Sequence, residues 1–512
     1  MANFLIGCDV GTSGTKSVVM DEEGNVLGIH YIDYPLHTPK AGYAEHDPND
    51  YWNAVKNTIK AAIQQSHVDA GDIKGVSISA LSPGCILIDK NLQPMQMCHI
   101  WLDRRAAKEA ELLKETIGED RIFQLSANPT DSYYATVKLL WEKNHRRNLY
   151  DLTYKLQTTA DYPVLKLTGK AVTDYSNASL IGIVFDIVNR RWDYDLIEKI
   201  GLDPAKFPDV YPCDEVVGYV EAEAAEETGL KKGTPVVAGT VDCNAAWLAG
   251  GMLNDGDTQL VMGTAGVFGV CHKDPKFTKD MITIVHAANS REYYTTLAAI
   301  VGCGALTRYY RDTFGQMEKD IASKLGIDVF ELMNLAAAKS VPGSNGLLTL
   351  PYFSGERTPI WDPLARGVIF GMSLAHNKGD LLRSFMEGAA FALRHNLECM
   401  KASGVKMNMP VVLSEGGAQS RLWRQIIADV LRVPVVFMKD LKGAPVGNAL
   451  NAGIGVGIFK DYDVVKQWLK ISDSHEPDEK TAVEYDKYYE VFRSVYEDVK
   501  GNYSKLYLAM GN

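Results

Sequence analysis

The feature that most constrains the fold is a turn rich in glycine and hydroxyl side chains between two strands near the start of the chain. It lies in IGCDVGTSGTK, residues 6–16. Residues 3–9, 15–20 and 26–32 are rich in apolar and β-branched side chains, and DEEGN at 21–25 supplies turn residues. The pattern predicts an antiparallel β-meander with the glycine turn between its first two strands.

The turn has the ingredients of a phosphate-binding loop but differs from a Walker P-loop. A P-loop has the pattern G-x-x-x-x-G-K-[ST] and leads from a strand directly into a helix. Here Gly11 and Gly14 are too close together, Lys16 does not follow a glycine, and the next residues, KSVVM, predict a strand. We therefore exclude the P-loop interpretation.

A second turn of the same kind, GTAG at 263–266, lies within DGDTQLVMGTAGVFGV (255–270) and again has a strand on each side. Such an internal echo indicates two related lobes, which suits a chain of 512 residues. Successive backbone amides form anion-binding nests. The two turns could therefore form opposing walls around a polyphosphate.

Two aspartates occupy the ends of predicted strands. Asp9 precedes the first turn, where it would hold Mg²⁺ directly or through water in a nucleotide enzyme, or would simply end the strand and cap the turn. Asp242 follows the apolar strand TPVVAG and precedes small residues that open a helix. Ligands bind outside such strand ends, so Asp242 is either a general base or a plain N-cap.

Two later segments have irregular, glycine-rich patterns. In EGGAQSRLWRQIIAD (415–429), two glycines follow the strand VVLS and precede a helix, as in a backbone approach to adenosine or in an ordinary βα loop. LPYFSGERTPIWDPLARG (350–367) is a long polar loop after an apolar strand, and such loops are usually functional. Alternatively, Glu356 and Arg357 only pair with each other there.

Composition narrows the class of protein. The net charge of −11 argues against nucleic acid as the main partner, and no apolar run is long enough to span a membrane. The eight cysteines form no CxxC pair, and the N-terminus lacks the features of a signal peptide. We expect a cytoplasmic protein with free thiols.

The rest of the chain predicts a layered α/β protein. Helical periodicity covers 50–65, 104–116 and 135–143, and VSISA at 76–80 predicts a strand. From residue 321 the pattern is strongly helical, and it ends in an amphipathic helix over 481–506.

Taken together and in this order, the segments resemble the FGGY family of carbohydrate kinases, within the actin/Hsp70/hexokinase-like superfamily. The matching segments are DVGTSGTK, Asp47-Pro48, WLDRR (101–105), TDYSNAS (173–179), Asp242, GTAG, LPYFSGERTP, RGVIFGMSLAHNKGDLLRSFMEG and EGGAQS. The resemblance implies two ribonuclease-H-like α/β lobes with a cleft between them. Residues 1–252 would form the sugar-binding lobe, and 253–512 the ATP-binding lobe with its helical tail.

The resemblance also implies ATP and Mg²⁺ and a role for each candidate residue. Asp242 matches the catalytic base and a substrate contact, and Asp9 the acid near the metal. The remaining ATP-binding positions are Gly11, Thr12, Ser13, Thr264, Gly304, Gly417 and Gln419, with Ser420 as an alternative to Gln419 near the base or ribose. Asp103 and Arg105 match the W-x-D-x-R motif of the substrate lobe.

One departure bears on the substrate. After VSISA, xylulose and gluconate kinases usually carry Met-His and glycerol kinases Arg-Glu, whereas this chain has Leu81-Ser82-Pro83-Gly84. Ser82 offers only a small hydroxyl contact and Pro83 no N–H. Tyr133 resembles the aromatic that lines the sugar in relatives, although Ala135 departs from the usual residue before the lysine.

These matches favour a small-molecule sugar or polyol as the substrate, with a pentulose such as xylulose first. Glycerol, erythritol, ribulose and gluconate are alternatives. A non-catalytic sugar or nucleotide sensor on the same fold is a second hypothesis, against which Asp9, Thr12, Asp242 and Thr264 are all intact. The oligomeric state, including a homodimer, stays open.

Overall fold

The computed structural model describes residues 3–439 and 443–510, and the chain divides into two compact units. The first unit is drawn from Met1–Asn254, Cys271–Thr295 and Lys442–Leu469. The second is drawn from Asp255–Val270, Thr296–Leu441 and Lys470–Asn512. The predicted division at 252/253 lies close to the end of the first segment, and two later segments return to the first unit. No helix within 3–439 or 443–510 has the length and apolar character needed to cross a membrane.

Within the described residues 3–250 there are fifteen strands and ten α-helices. The strands are β1 (Phe4–Val10), β2 (Gly14–Asp21), β3 (Val26–Asp33), β4 (Glu45–His46), β5 (Ile73–Ala80), β6 (Ile86–Ile88), β7 (Cys98–His99), β8 (Lys155–Gln157), β9 (Val172–Asp174), β10 (Phe185–Asp186), β11 (Arg191–Trp192), β12 (Asp209–Tyr211), β13 (Val216–Tyr219), β14 (Pro235–Val237) and β15 (Thr240–Val241). The helices are α1 (Pro48–Ser66), α2 (Ala107–Thr116), α3 (Glu119–Ser126), α4 (Ala135–His145), α5 (Arg147–Leu152), α6 (Asp161–Thr168), α7 (Tyr175–Ile181), α8 (Tyr194–Lys199), α9 (Ala222–Thr228) and α10 (Asp242–Ala249).

The remaining elements follow residue 257. The strands are β16 (Thr258–Met262), β17 (Gly266–His272), β18 (Ile282–Val285), β19 (Tyr294–Ile300), β20 (Leu348–Leu350), β21 (Val368–Phe370), β22 (Val411–Ser414), β23 (Val435–Phe437) and β24 (Asp473–His475). The helices are α11 (Gly304–Phe314), α12 (Gln316–Leu325), α13 (Val329–Ala338), α14 (Lys378–Ala402), α15 (Arg421–Leu431), α16 (Ala444–Gly455) and α17 (Glu479–Ala509). Short 3-10 helices cover Ala70–Asp72, Pro204–Lys206, Ser344–Gly346, Gly416–Gln419 and Tyr462–Gln467.

The first unit is built on a mixed sheet in the order β13-β14-β5-β1-β2-β3, with β15 also pairing with β5. β1, β2 and β3 pair in antiparallel fashion, which confirms the predicted meander. β1, β14 and β15 run parallel to β5. Helix α1 begins at the Asp47 cap and buries Tyr51, Val55 and Ile59 in the core of this unit.

In the second unit the sheet strands follow the order β19-β17-β16-β22-β23-β24. β16 and β17 form the second predicted hairpin around the GTAG turn, and β22 pairs in parallel with β16. The helical region predicted from residue 321 is interrupted at Gly326, which takes a positive φ of 67°. The C-terminal helix α17 extends slightly beyond its predicted bounds and buries Tyr485 and Phe492.

Glycines allow helix α16 to pack closely in the first unit. A Cβ on Gly7 of β1 would lie 1.8 Å from the carbonyl oxygen of Pro445, at the start of α16. A Cβ on Gly447 of α16 would lie 1.8 Å from the carbonyl oxygen of Ala245 in α10. A side chain at either position would therefore force backbone elements apart.

Two matched glycine-to-alanine variants test this close packing. We expect Gly447→Ala to lower the free energy of unfolding by about 1–3 kcal/mol, because its methyl group overlaps a backbone oxygen. Gly501 lies inside α17 with no atom within 4 Å of an added Cβ. Gly501→Ala should therefore raise stability by about 0.5–1 kcal/mol through helix propensity alone. Thermal and denaturant unfolding measure both, and equal effects of the two variants would contradict the packing argument.

Candidate active site

Three candidate residues lie at one edge of the first sheet. In the parallel register, Asp9 of β1 and Thr240 of β15 both pair with Ser79 of β5, from opposite sides. Asp242 follows β15 directly, and Ser82 follows the end of β5. Because neighbouring strands lie about 4.8 Å apart, the Asp9 and Thr240 backbones are separated by roughly 10 Å, and Asp242 follows two residues after Thr240. Local sequence placed each residue at a strand end, and the register brings those ends together.

Asp9 is oriented by a chain of hydrogen bonds that the sequence does not reveal. The Ser79 hydroxyl donates to Asp9 Oδ1 at 2.7 Å. Asn448 of α16 donates from Nδ2 to Ser79 Oγ at 2.7 Å and to the Cys8 carbonyl at 2.7 Å. Asn448 is fully buried and lies far from Asp9 in sequence, so no local pattern signals its role.

The first glycine turn closes the β1–β2 hairpin. The Gly11 N–H donates to the Gly14 carbonyl at 2.9 Å. The indole Nε1–H of Trp101 donates to Thr12 Oγ1 at 3.3 Å, so the WLDRR segment reaches the turn. Ser13 is exposed, and its carbonyl accepts from the Tyr31 hydroxyl at 3.0 Å.

Asp242 is the first residue of α10, at the strand-to-helix junction that the sequence predicts. Its side chain is partly exposed, and its Oδ1 accepts from the Cys243 N–H at 2.6 Å. The preceding residue is held from α7, because the Val241 N–H donates to Ser176 Oγ at 3.1 Å. The N-cap of α10 is Val241, so the alternative that Asp242 is a plain N-cap is wrong. A carboxylate on a rigid element suits a general base.

Ser82 and Tyr133 contact each other. The Tyr133 hydroxyl donates to the Ser82 carbonyl at 3.0 Å, and the Ser82 hydroxyl donates to Asn177 Oδ1 at 3.0 Å. Both residues are mostly buried, with exposed fractions of 8% for Ser82 and 5% for Tyr133. Ser82 therefore presents a small polar surface at the strand edge that carries Asp9 and Asp242.

Asp103 takes a different place from the other candidates. It is fully buried, its two oxygens accept from Arg105 Nε and Nη2 at 2.8 and 2.7 Å, and the Ala44 N–H donates to Oδ2 at 2.8 Å. Arg105 also pairs with Glu45. This geometry favours a bidentate structural ion pair that anchors the WLDRR segment, while direct contact of Asp103 with a substrate stays a prediction.

The second unit contains a cavity of about 710 Å³, within the range typical of small-molecule sites. Thr264, Gly304, Gly417 and Gln419, the four nucleotide candidates of this unit, all line it, as does the alternative Ser420. Apolar walls come from Met262, Phe330, Met333, Leu382, Met386 and Trp423. Apolar side chains beside glycine turns suit a ligand with both an aromatic ring and an anionic group.

Two glycines bring these segments together at the end of β16. A Cβ on Gly304 would lie 2.4 Å from the Gly263 carbonyl oxygen, and one on Gly417 would lie 2.9 Å from the Met262 carbonyl oxygen. Gly304 also begins α11, and its N–H donates to the Gly263 carbonyl at 2.9 Å. The Cys303 and Ala305 N–H groups donate to the Thr264 carbonyl, so the start of α11 and the GTAG turn form one backbone-lined wall.

The cavity includes polar residues that the sequence interpretation missed. Arg308 on α11 donates from Nη2 to Thr264 Oγ1, and Asn334 on α13 accepts from the Ser420 hydroxyl at 3.0 Å. Glu415 adopts φ 71° and ψ −173°, a conformation that is normally restricted to glycine. Arg308 could have been suspected from its position one turn after Gly304, whereas Asn334 carries no local signal.

Side chains of the SGERTP segment hold the backbone that leads to this wall. Thr358 Oγ1 accepts from the Ala299 N–H at 2.7 Å, and Glu356 Oε1 accepts from the Val301 N–H at 2.8 Å. These bonds hold the end of β19 and the residues that lead to Gly304. Glu356 Oε1 also accepts from the Arg357 N–H at 2.8 Å, and burial raises the pKa of Glu356 to about 7.

Asp9 is the carboxylate that the sequence predicts beside a metal ion. Within residues 3–439 and 443–510, no group of three or more His, Cys, Asp or Glu side chains is placed to hold an ion alone. Mg²⁺ in nucleotide enzymes is commonly held by one or two carboxylates together with phosphates and water. Asp9, fixed by Ser79 at the strand edge, fits that donor set, and its role as a metal ligand stays a prediction.

Comparison with known proteins decides the family. Residues 4–249 match the FGGY family of carbohydrate kinases, N-terminal domain, and residues 259–456 match the C-terminal domain of the same family. The chain belongs to the FGGY family of carbohydrate kinases. It is therefore an enzyme of the phosphotransferase class with an alcohol group as acceptor, and the predicted two-lobed α/β fold is confirmed.

Individual relatives cover nearly the whole chain. The xylulose kinase of Bacillus subtilis (strain 168) is 28% identical over 501 residues, with 97% of each chain covered. The gluconokinase of the same organism is 27% identical over 510 residues, covering 99% of this chain and 98% of the relative. The crystal structure of xylulose kinase from Rhodospirillum rubrum has a TM-score of 0.87 at 27% identity, covering 98% of this FGGY kinase and 100% of that chain.

The Glu356 carboxyl predicts a pH dependence of stability. Its folded pKa of about 7 exceeds its ordinary value of 4.5, so the folded state retains a proton that the unfolded state releases between these values. The stabilising contribution is fully present below pH 4.5 and is lost as pH rises through about 7. The free energy of unfolding of Glu356→Gln, measured relative to that of wild type, should therefore rise by about 2–3 kcal/mol between pH 5 and pH 8.

Urea unfolding of both proteins across this pH range measures the difference. Glu490→Gln, at an exposed glutamate of α17, is the matched control and should show no such trend. A constant stability difference between Glu356→Gln and wild type would contradict a buried carboxyl with a raised pKa.

Proposed function

We propose that this FGGY kinase transfers the γ-phosphoryl group of ATP to a hydroxyl of a small sugar or polyol, with a pentulose such as xylulose as the first candidate. The observation that carries the proposal is the register of β1, β5 and β15, which places Asp9, Ser82 and Asp242 at one sheet edge. A carboxylate held on a rigid element, at the same end of the sheet as a proposed sugar contact, suits proton abstraction from an alcohol.

Asp242 acts as the general base in this proposal. Its carboxylate accepts the proton of the substrate hydroxyl as the hydroxyl oxygen forms a bond to the γ-phosphorus of ATP. The bond between that phosphorus and the β,γ-bridging oxygen breaks, and ADP leaves with the electron pair. Ser176 supports this step by holding the Val241 backbone, which limits movement of Asp242.

The second unit supplies the nucleotide site. The cavity joins a wall of glycine-turn amides to apolar side chains, which suits the phosphates and the adenine of ATP respectively. Mg²⁺, when bound with the nucleotide, neutralises phosphate charge, and Asp9 is the residue of this chain that would contact it or its water. Gly11, Thr12 and Ser13 are proposed phosphate contacts from the first unit.

The substrate proposal rests on the named relatives and on the contacts that Ser82 and Tyr133 offer. Relatives of similar identity are named xylulose kinase and gluconokinase, so identity alone does not choose between a ketose and a sugar acid. Ser82 and Tyr133 offer neutral contacts at the position following β5. A neutral pentulose fits such a wall better than a sugar acid, whose carboxylate calls for charged donors.

A coupled ADP-release assay tests the function. We expect wild-type activity with one or more of xylulose, ribulose, xylitol, arabinitol, erythritol, glycerol and gluconate, with the highest kcat/KM for a pentulose. Asp242→Asn should lower kcat by roughly 10²–10⁴-fold, because it removes the base and leaves the shape of the site.

Asp195→Asn, at an exposed aspartate of α8, is the matched control and should retain wild-type kcat. Near-normal turnover by Asp242→Asn would contradict the proposal that Asp242 is the general base. Highest kcat/KM for gluconate would overturn the pentulose proposal and leave the kinase proposal standing.

Arg308 gives a separate test of the nucleotide site. Its guanidinium contacts Thr264 at the cavity wall, where it could pair with a phosphate. We expect Arg308→Ala to raise KM for ATP by about 10- to 100-fold, the effect of one charge-assisted hydrogen bond, with little change in KM for the sugar. Lys406→Ala is the control, because Lys406 is an exposed cation of the same unit that pairs with Asp255. An unchanged KM for ATP would remove Arg308 from the site.

A further inference from the structure

The Ser82 hydroxyl has a defined polarity. Its hydrogen is directed to Asn177 Oδ1, at an Oγ–Oδ1 distance of 3.0 Å. A hydroxyl has one hydrogen and two lone pairs, so a serine that donates to a fixed acceptor can only accept from a third group. The orientation of the Asn177 amide therefore decides what Ser82 can recognise.

Asp174 sets the orientation of that amide. Asn177 Nδ2 donates to Asp174 Oδ2 at 2.5 Å, which turns Oδ1 towards Ser82. With the amide reversed, two acceptor oxygens would face each other in a buried site, at the cost of an unsatisfied pair. Asp174 and Asn177 are both fully buried, so water does not replace either bond.

Asp174 is surrounded by donors, as an ionised carboxylate requires. Its Oδ1 accepts from the Ser176 and Asn177 N–H groups at 2.8 and 3.0 Å and from the Ser176 hydroxyl at 2.6 Å. Burial raises the pKa of Asp174, whereas its hydrogen bonds from the Asn177 and Ser176 side chains and N–H groups lower it. The acceptor role of Asp174 therefore rests on these donors, each of which bonds to a carboxylate oxygen.

We propose that Ser82 Oγ accepts a hydrogen bond from one hydroxyl of the substrate, and that Asn177 and Asp174 are the positioning residues that enforce this polarity. The inference rests on the proposed function, because it assigns this wall to the sugar. It deepens that function by defining the recognised group as a hydroxyl donor. A carbonyl or carboxylate oxygen, which only accepts, does not satisfy this position.

The test compares hydroxyl, deoxy and deoxyfluoro forms of one ligand, because fluorine can accept weakly but cannot donate. Binding is measured by calorimetry in the absence of ATP. The ligands are xylulose, xylitol, and the monodeoxy and monodeoxyfluoro analogues of whichever of these two parent compounds binds more tightly. For one carbon of the ligand, replacing its hydroxyl by hydrogen or by fluorine should weaken binding to wild type by the same factor, about 3- to 10-fold relative to the parent compound. Ser82→Ala should weaken the parent by a similar factor and cause no further loss with those two analogues.

A fluoro analogue that binds as tightly as the parent while the deoxy analogue does not would show that Ser82 donates, and would overturn the proposal. Unchanged parent affinity in Ser82→Ala would overturn it too, as would failure of both xylulose and xylitol to bind. Binding with the expected pattern but without ADP release would support this inference and refute the proposed function, so the two failures are distinguishable.

Asn177→Ala tests the positioning role. Freed from Asn177, the Ser82 hydroxyl can turn and donate, so the fluoro analogue should regain affinity relative to the deoxy analogue. Ser126→Ala is the matched control, because Ser126 is a buried serine that donates to the Ile122 carbonyl within α3. It should leave the order of the three ligands unchanged. If Asn177→Ala does not fold, the analogue series on wild type and Ser82→Ala still decides the proposal.

Discussion

The first unit depends on one buried carboxylate, that of Asp174. It caps α7, orients Asn177 and accepts from the Ser176 hydroxyl, so its two oxygens organise the whole TDYSNAS segment. Through Asn177 it determines the polarity of Ser82, and through Ser176 it holds the backbone that carries Asp242. A fully buried charge is tolerated only with such a complete set of donors, so these contacts are interdependent.

In the second unit, the candidate nucleotide site depends instead on the close approach of backbone segments. The absence of a Cβ at Gly304 and Gly417 lets α11 and the EGGAQS segment contact the end of β16. The SGERTP loop then holds β19 through the Glu356 and Thr358 side chains. The backbone-lined wall at Gly304 consists of main-chain groups, as expected if it contacts phosphates. The contacts around Ser82 in the first unit consist mainly of side chains, as expected if they bind a sugar.

Much of the fold was predictable because its signals are local. The meander, the second hairpin, the strand-to-helix junction at Asp242 and the C-terminal helix follow from periodicity and turn residues, and the structure confirms them. The supporting residues were less accessible. Asn448 and Asn334 act through partners distant in sequence, and the W-x-D-x-R motif did not reveal that Asp103 is enclosed by Arg105 and the Ala44 amide.

The sequence by itself determined the family, the two glycine turns and the residue types available for chemistry, because ordered motifs and local spacing carry that information. Only the tertiary structure decided which of these residues lie at the same end of the sheet and which hydrogen bonds orient their side chains. Strand register placed Asp9, Ser82 and Asp242 together, and a hydrogen-bond chain from Asp174 directed the Ser82 hydrogen. Both depend on pairings between distant segments, which no single stretch of sequence specifies.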